Sequence, residues 1–122
     1  GGDVFQTKFT PTLLGEETRD GDLVWQVELI GIPDLEPPYP KIILWVRQSD
    51  YFPVTLDYFN ESGYNTKSLV LSDIEMIENY PTAMTMVMTD NKERSSTTMR
   101  NLEITYAWEP PKGFFSERNL KK

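Results

Sequence analysis

Short alternating segments separated by turn signals run through the whole chain, and no long stretch has the period of a helix. From Leu23 to Leu29, for example, apolar residues occupy every second position, which is the pattern of a strand with one buried face. The preceding Asp20-Gly21 is a tight-turn signal that predicts a partner strand over 12–18. This repeated pattern predicts an all-β fold with little helix.

The same reading predicts about seven strands joined mainly by hairpins. Residues 4–9 are read as extended, ending at Pro11, and the four prolines of Gly31–Pro40 predict a loop, because proline cannot donate to a strand ladder. Lys41–Arg47 is a continuous apolar strand that we expect to be buried on both faces. Strands are also predicted over 52–58, 64–73, 82–89 and 96–108, whereas 74–80 is either a bend or a continuation. The expected architecture is an antiparallel meander, strongly bent or partly rolled, forming one domain over 1–122.

Composition excludes several kinds of chemistry. The chain has no cysteine and no histidine, so thiol catalysis, disulfides and imidazole general-base catalysis are ruled out. No G-x-S-x-G elbow, phosphate loop or calcium-loop spacing occurs, and the acidic residues form no distinctive pair. We therefore predict no enzyme activity, no catalytic residue and no metal site; the alternative left open is a carboxylate pair that the fold brings together in space, as in glycosidases.

The balance of 12 basic against 19 acidic residues gives a net charge of −7. Nucleic acids and anionic membrane surfaces bind basic stripes that displace counterions, so neither is expected as a partner. No apolar run reaches the ~20 residues that a transmembrane helix needs. The chain opens on Gly1-Gly2, and we expect that an upstream segment, including an export signal, has been removed.

Met84, Met86 and Met88 alternate along one predicted strand. Methionine fills irregular gaps in a core, and it also forms adaptable walls for acyl chains or variable apolar partners. Composition alone favours the core interpretation. The aromatic residues at inward strand positions have the same two interpretations, as packing or as a ligand wall.

The ordered combination of segments resembles the C-terminal part of the outer-membrane lipoprotein-sorting superfamily, the LolA/LolB-like carriers, and in particular its LolA-like branch. The segments that carry the resemblance cover the chain from about Leu14 onward. They are Ile42–Val46, Pro53, Leu56–Phe59, Gly63, Lys67, Met84 with Met86, and Phe115-Ser116 with Leu120.

The resemblance implies a curved antiparallel sheet, or incomplete β-barrel, over an apolar cavity. Members begin with a helix and several strands, which we expect to be missing from this chain. The implied function, which involves no catalysis and no cofactor, is to shield lipoprotein acyl chains or another lipid in the periplasm or envelope of a Gram-negative bacterium, during sorting to the outer membrane. The expected ligand-binding face comprises Trp25, Val27, Leu29, Leu44, Trp45, Leu56, Tyr58, Met84, Met86, Met88, Ile104 and Tyr106.

Two alternatives remain. The same half-barrel is also suited to a non-enzymatic interaction or sensor module that binds an envelope protein at an edge strand. An uncovered apolar face would favour self-association, with a homodimer as one arrangement that covers it. A lipocalin-like barrel is disfavoured, because eight closed strands usually need a longer chain.

Overall fold

The computed structural model describes residues 8–105 and 108–116. Its seven strands form one antiparallel sheet in which spatial order follows chain order. The strands are β1 (Phe9–Arg19), β2 (Asp22–Gly31), β3 (Lys41–Arg47), β4 (Pro53–Phe59), β5 (Asn65–Ile77), β6 (Tyr80–Asp90) and β7 (Ser95–Ile104). The predicted meander, open and curved with almost no helix, is confirmed. A single short 3-10 turn at Pro33–Leu35 interrupts the strands within the described part.

One row of apolar cross-strand pairs runs across six strands. It consists of Leu13, Val27, Leu44, Leu56, Leu69 and Met88, each paired with the next. Directly paired residues project from the same face of a sheet, so the row defines one apolar face, which we call the inner face. The main hydrophobic core packs on this face. Smaller apolar contacts, centred on Val24, Ile43 and Trp45, lie on the opposite, outer face.

Strand β3 has apolar residues on both faces. Every residue from Ile42 to Val46 is buried, because its neighbours β2 and β4 shield it on both edges while the two clusters cover its faces. The predicted double-sided burial is therefore confirmed.

Several boundaries differ from the predictions. Pro11 does not end the first segment, since it pairs with Leu29 inside β1, an edge strand where a missing N–H is tolerated. The uncertain stretch after Asp73 continues β5 to Ile77, and the turn that follows places Glu78 and Asn79 at φ +52° and +69°. Two successive positive φ values are typical of a tight hairpin turn. Positions 4–7 lie outside the described residues.

The last strand is shorter than predicted. β7 ends at Ile104 rather than at Trp108. Asn101 and Glu103 adopt φ values of +61° and +51°, which interrupt the alternation of the pleat. As a result Leu102 is exposed, whereas Ile104, two residues later, packs against the main core.

The described residues include no helix long and apolar enough to cross a bilayer.

Gly31 ends β2 where the proline loop folds back closely. A Cβ at this position would lie 2.5 Å from Pro37 Cγ and 3.0 Å from the Tyr39 carbonyl oxygen. We expect Gly31→Ala to lower the free energy of unfolding by about 1–3 kcal/mol, because the ring and backbone would have to move. Chemical denaturation measures the change.

Gly15 provides the matched control. No atom lies within 4 Å of a Cβ built there, and its φ is not in the left-handed region. Gly15→Ala should be neutral or stabilising by up to ~1 kcal/mol. Equal effects of the two substitutions would contradict the close approach at Gly31.

Candidate functional site

The centre of the inner face is buried in this structure. Val27, Leu29, Leu44 and Leu56 have no exposed side-chain surface. Of the residues predicted to bind ligand, these four belong to the main core together with Tyr58, while Trp25, Met86, Met88 and Ile104 are half-buried and pack against it. Nine of the twelve predicted residues therefore lie around one apolar core.

Trp45 does not lie with them. It pairs with Gln26 and Thr55, whereas its neighbour Leu44 pairs with Val27 and Leu56. Successive residues of a strand project to opposite faces, so the placement of Trp45 on the inner face is wrong. On the outer face its indole Nε1 donates to Glu17 Oε1 over 2.7 Å, and the Arg19 guanidinium lies 4.3 Å from the ring centre.

Met84 is also separated from the other methionines. Met86 and Met88 pack on the core, but Met84 is half-buried and is not among the residues in contact with either cluster. The pairing of β6 with β7 shifts register between Ala83 and Thr85, and the fully buried Ala83 contributes to the core instead. The prediction that Met84 shares one face with Met86 and Met88 is therefore wrong. Tyr106 lies outside the described residues.

Residues 108–116 cover part of the inner face. Trp108 is 3% exposed, and its ring meets those of Phe114 and Phe115 edge-on, with centroids 5.8 and 5.9 Å apart. Phe115 stacks on Trp25 with centroids 3.7 Å apart. These rings attach a segment without regular structure to the core, so we call residues 108–116 the covering segment.

Sequence reasoning missed the covering aromatics Phe114 and Phe115. Neither belongs to an alternating strand segment, so periodicity gave no signal for them. The available signal was the aromatic pair placed just after Pro110-Pro111 and Gly113. The predicted face also omits Phe52, which begins the alternation over 52–58 and belongs to the main core.

At the other end of the inner face, Tyr39 from the proline loop contacts the core. Its ring lies 4.5 Å from that of Tyr58, and Lys67 Nζ donates to its hydroxyl over 2.8 Å. The ammonium also lies 4.9 Å from the Tyr58 ring centre. The loop is therefore attached to β4 and β5 by an aromatic pair and one cation.

The turn between β3 and β4 is fixed by an ion pair. Arg47 contacts the Asp50 carboxylate through Nη2 and donates from Nε to Oδ1 over 3.1 Å. Hydrogen bonding to Asp50 raises the pKa of Arg47 above its usual value. Arg47 therefore stays charged at neutral pH, and the stability linked to its raised pKa would be lost as the pH rises through that pKa.

Four of the cavities that open on the described part of the chain have volumes of about 340–430 Å³, and no residue predicted to bind ligand lines any of these four. One of about 370 Å³ on the outer side has mixed charge, with Arg19, Asp20, Asp22, Arg47 and Asp73 in its wall. A second, of about 430 Å³, lies beside Trp108 and is lined mainly by aromatic and proline side chains.

Solved structures share this architecture. A domain assigned to outer membrane lipoprotein sorting from Vibrio parahaemolyticus matches with a TM-score of 0.70 and 23% identity, over 94% of this chain and 49% of that one. A LolA superfamily protein from Nitrosomonas europaea matches at 0.69 and 25%, over 95% and 52%. A DUF1329 family protein from Desulfovibrio piger ATCC 29098 matches at 0.73 and 24%, over 93% and 48%. The predicted resemblance to the LolA-like superfamily is confirmed.

A family model described as "Uncharacterized protein" matches residues 2–122. The chain belongs to that family. No curated protein sequence matches it. The chain spans about half the length of the LolA-like structures it resembles.

Proposed function

We propose that the chain is a carrier-type domain that holds lipoprotein acyl chains, or another lipid, against the inner face. The observation that carries this proposal is the apolar row that crosses six strands of an open, curved sheet. Such a face gains about 25 cal/mol for each Å² of acyl-chain surface removed from water, before ordering costs. The structural similarity to a domain named for outer membrane lipoprotein sorting, and to a LolA superfamily protein, supports the same assignment.

Because the inner face is covered, cargo must replace part of its cover. The covering segment is the candidate, since it has no strand ladder to break and is held mainly through Trp108, Phe114 and Phe115. Exchanging ring contacts for acyl-chain contacts keeps the buried apolar area similar, so displacement has a modest net cost. Met86 and Met88 provide unbranched, adaptable side chains along this wall.

A non-enzymatic role follows from the same proposal. Binding through apolar contact requires no acid–base group. It also needs no cofactor. We place this function in the periplasm or envelope of a Gram-negative bacterium, by analogy with the similar domain named for outer membrane lipoprotein sorting.

A second candidate is recognition of an envelope protein or of a second copy through the edge of the sheet. β7 is an edge strand, and eight of its ten residues are exposed. Edge strands offer unpaired backbone groups to a partner strand. A charge on the inner face would leave this mode intact, which separates the two candidates.

Met86→Glu tests the lipid proposal. Met86 pairs with Leu71 and packs on the core of the inner face. A carboxylate placed there should weaken binding of a dansyl-labelled fatty acid at least about tenfold, since it would have to be desolvated against the acyl chain. Fluorescence titration measures the affinity, with thermal unfolding recorded in parallel.

Met84→Glu is the matched control, because the same substitution two residues earlier lies outside the core. It should change affinity by less than about twofold. Met86→Leu should retain binding. Undiminished fatty-acid binding by a folded Met86→Glu protein would rule out the inner face as the lipid site.

A further inference from the structure

A half-buried lysine lies on the inner face, next to the apolar wall formed by β5 and β6. Three successive cross-strand pairs of these strands project from this face, namely Leu71 with Met86, Leu69 with Met88, and Lys67 with Asp90. The first two pairs belong to the main core or pack against it, whereas the third is charged. This strip of the inner face therefore changes from apolar to charged over about 13 Å.

The Lys67 ammonium is held by two tyrosines rather than by a carboxylate. Its Nζ donates to the Tyr39 hydroxyl over 2.8 Å and lies 4.9 Å from the Tyr58 ring centre. Among the described residues, no carboxylate oxygen lies within 4.0 Å of Nζ. Asp90, its cross-strand partner, instead accepts at Oδ1 from two backbone N–H groups of the following turn, over 3.0 and 3.1 Å. Within the described part, the ammonium therefore has donors to spare for an anion.

The Tyr39 hydroxyl is a second donor at the same place. Because its oxygen accepts from Lys67, its own proton points away from the ammonium and can be donated to another oxygen. The Tyr39 ring packs 4.5 Å from that of Tyr58, which fixes the position of the hydroxyl. An oxygen placed against both groups would accept two hydrogen bonds, and these are strongest when that oxygen is anionic.

These two donors lie at the end of the inner face opposite the covering segment. The covering segment stacks on Trp25, which pairs with Val46 beside the β3–β4 turn, whereas Lys67 pairs with Tyr58 near the far end of β4. Lys67 and Tyr39 are both only half-buried, so solvent reaches this end. A charged group bound here would keep part of its hydration, which lowers the cost of binding it beside an apolar surface.

We propose that Lys67 and Tyr39 bind the anionic headgroup oxygen, a carboxylate or a phosphate, of a lipid whose acyl chain lies along the apolar strip of β5 and β6. The inference rests on the proposed function and narrows its cargo to lipids with an anionic headgroup. An acyl chain joined to a protein through an ester or amide bond has no such charge and would not use this pair. The headgroup supplies the anion that the described residues do not.

Two probes with the same chain test the proposal. Dansylaminoundecanoic acid carries a carboxylate and its methyl ester does not, and each is titrated against the full chain by dansyl fluorescence. Lys67→Met removes the charge but keeps a long flexible side chain, so the ratio of acid affinity to ester affinity should fall at least about threefold. Lys67→Arg should keep most of the ratio, and Tyr39→Phe should lower it by removing one donor.

Lys41→Met is the matched control. Lys41 is also half-buried, and its Nζ also lies against a ring, 4.3 Å from the centre of Phe59. It projects from the outer face, because the next residue, Ile42, belongs to the core of the inner face. Both substitutions change the net charge equally, yet Lys41→Met should alter the ratio by less than about 1.5-fold, since solvent screens a charge on the opposite face.

The outcomes separate this subsite from the acyl-chain site. An unchanged ratio in Lys67→Met, or an equal fall in Lys41→Met, would overturn the headgroup subsite, while continued binding of the ester would leave the acyl-chain site in place. Absence of binding of both probes to the unmodified chain would overturn the proposed function and the subsite with it.

Displacement of the bound dansyl ester identifies the source of the anion. Dodecanoate offers a carboxylate and dihexanoylphosphatidylglycerol a phosphate, each used below its micelle concentration. The competitor whose affinity falls at least about threefold in Lys67→Met is the cargo type that uses the pair, a fatty acid or a phospholipid. A fall for both would show that the pair accepts either anion, and a fall for neither would contradict the proposal.

Discussion

Phe52→Ala is expected to lower the free energy of unfolding by about 3–5 kcal/mol. Phe52 is 1% exposed and is the largest fully buried side chain of the described part. Its backbone also closes the β3–β4 turn, since the Phe52 carbonyl accepts from Arg47 N over 2.9 Å and its own N–H donates to Asp50 Oδ1 over 3.1 Å. Truncation would leave a cavity beneath a turn that cannot easily collapse into it.

Denaturant unfolding, followed by far-UV circular dichroism, measures this loss. Tyr64→Ala removes a ring of comparable size from an exposed position, and it should change stability by no more than about 0.5 kcal/mol. A loss below about 1 kcal/mol for Phe52→Ala would show that the turn does not anchor the core.

Trp108→Ala is expected to lower the free energy of unfolding by a similar ~3–5 kcal/mol and to increase uptake of a dansyl-labelled fatty acid. Trp108 contacts both Phe114 and Phe115, so its removal loosens the covering segment. Under the proposed function, a looser cover exposes more of the inner face to cargo. Chemical denaturation and fluorescence titration report the two effects separately.

Trp45→Ala is the control that distinguishes exposure of the inner face from a general loss of stability. Trp45 is 9% exposed, so its loss is also destabilising, but its contacts lie on the outer face. It should not raise fatty-acid uptake. An equal rise in both variants would mean that uptake follows instability, and the covering segment would then have no specific role.

The strand framework was predictable because local signals and tertiary pairing agree. The Asp20-Gly21 turn forms between β1 and β2, and the apolar run of β3 is buried on both faces. Alternation also placed Val27, Leu29 and Leu56 on one face. The same alternation separates Leu44 from Trp45. Trp45 was wrongly placed on the inner face because two adjacent residues of a strand buried on both faces were assigned to one face.

The covering segment and the cavity beside Trp108 could not be found in this way. Trp108, Phe114 and Phe115 lie outside regular strands, where no period relates one side chain to the next. Their positions depend on contacts with Trp25 and with the core, which are distant in sequence. The interruption of β7 likewise depends on two non-glycine residues with positive φ, Asn101 and Glu103, which carry no strong sequence signal.

Every strand pairs with its neighbour in the chain, and this order affects how the protein folds. Each pairing closes only a short connection, the longest being residues 32–40, so little loop entropy is lost before a hairpin gains contacts. The stacking of Phe115 on Trp25 is the exception, since it joins β2 to the far end of the described chain. Sequential hairpins should therefore assemble early, and docking of the covering segment should be the late step that completes the core.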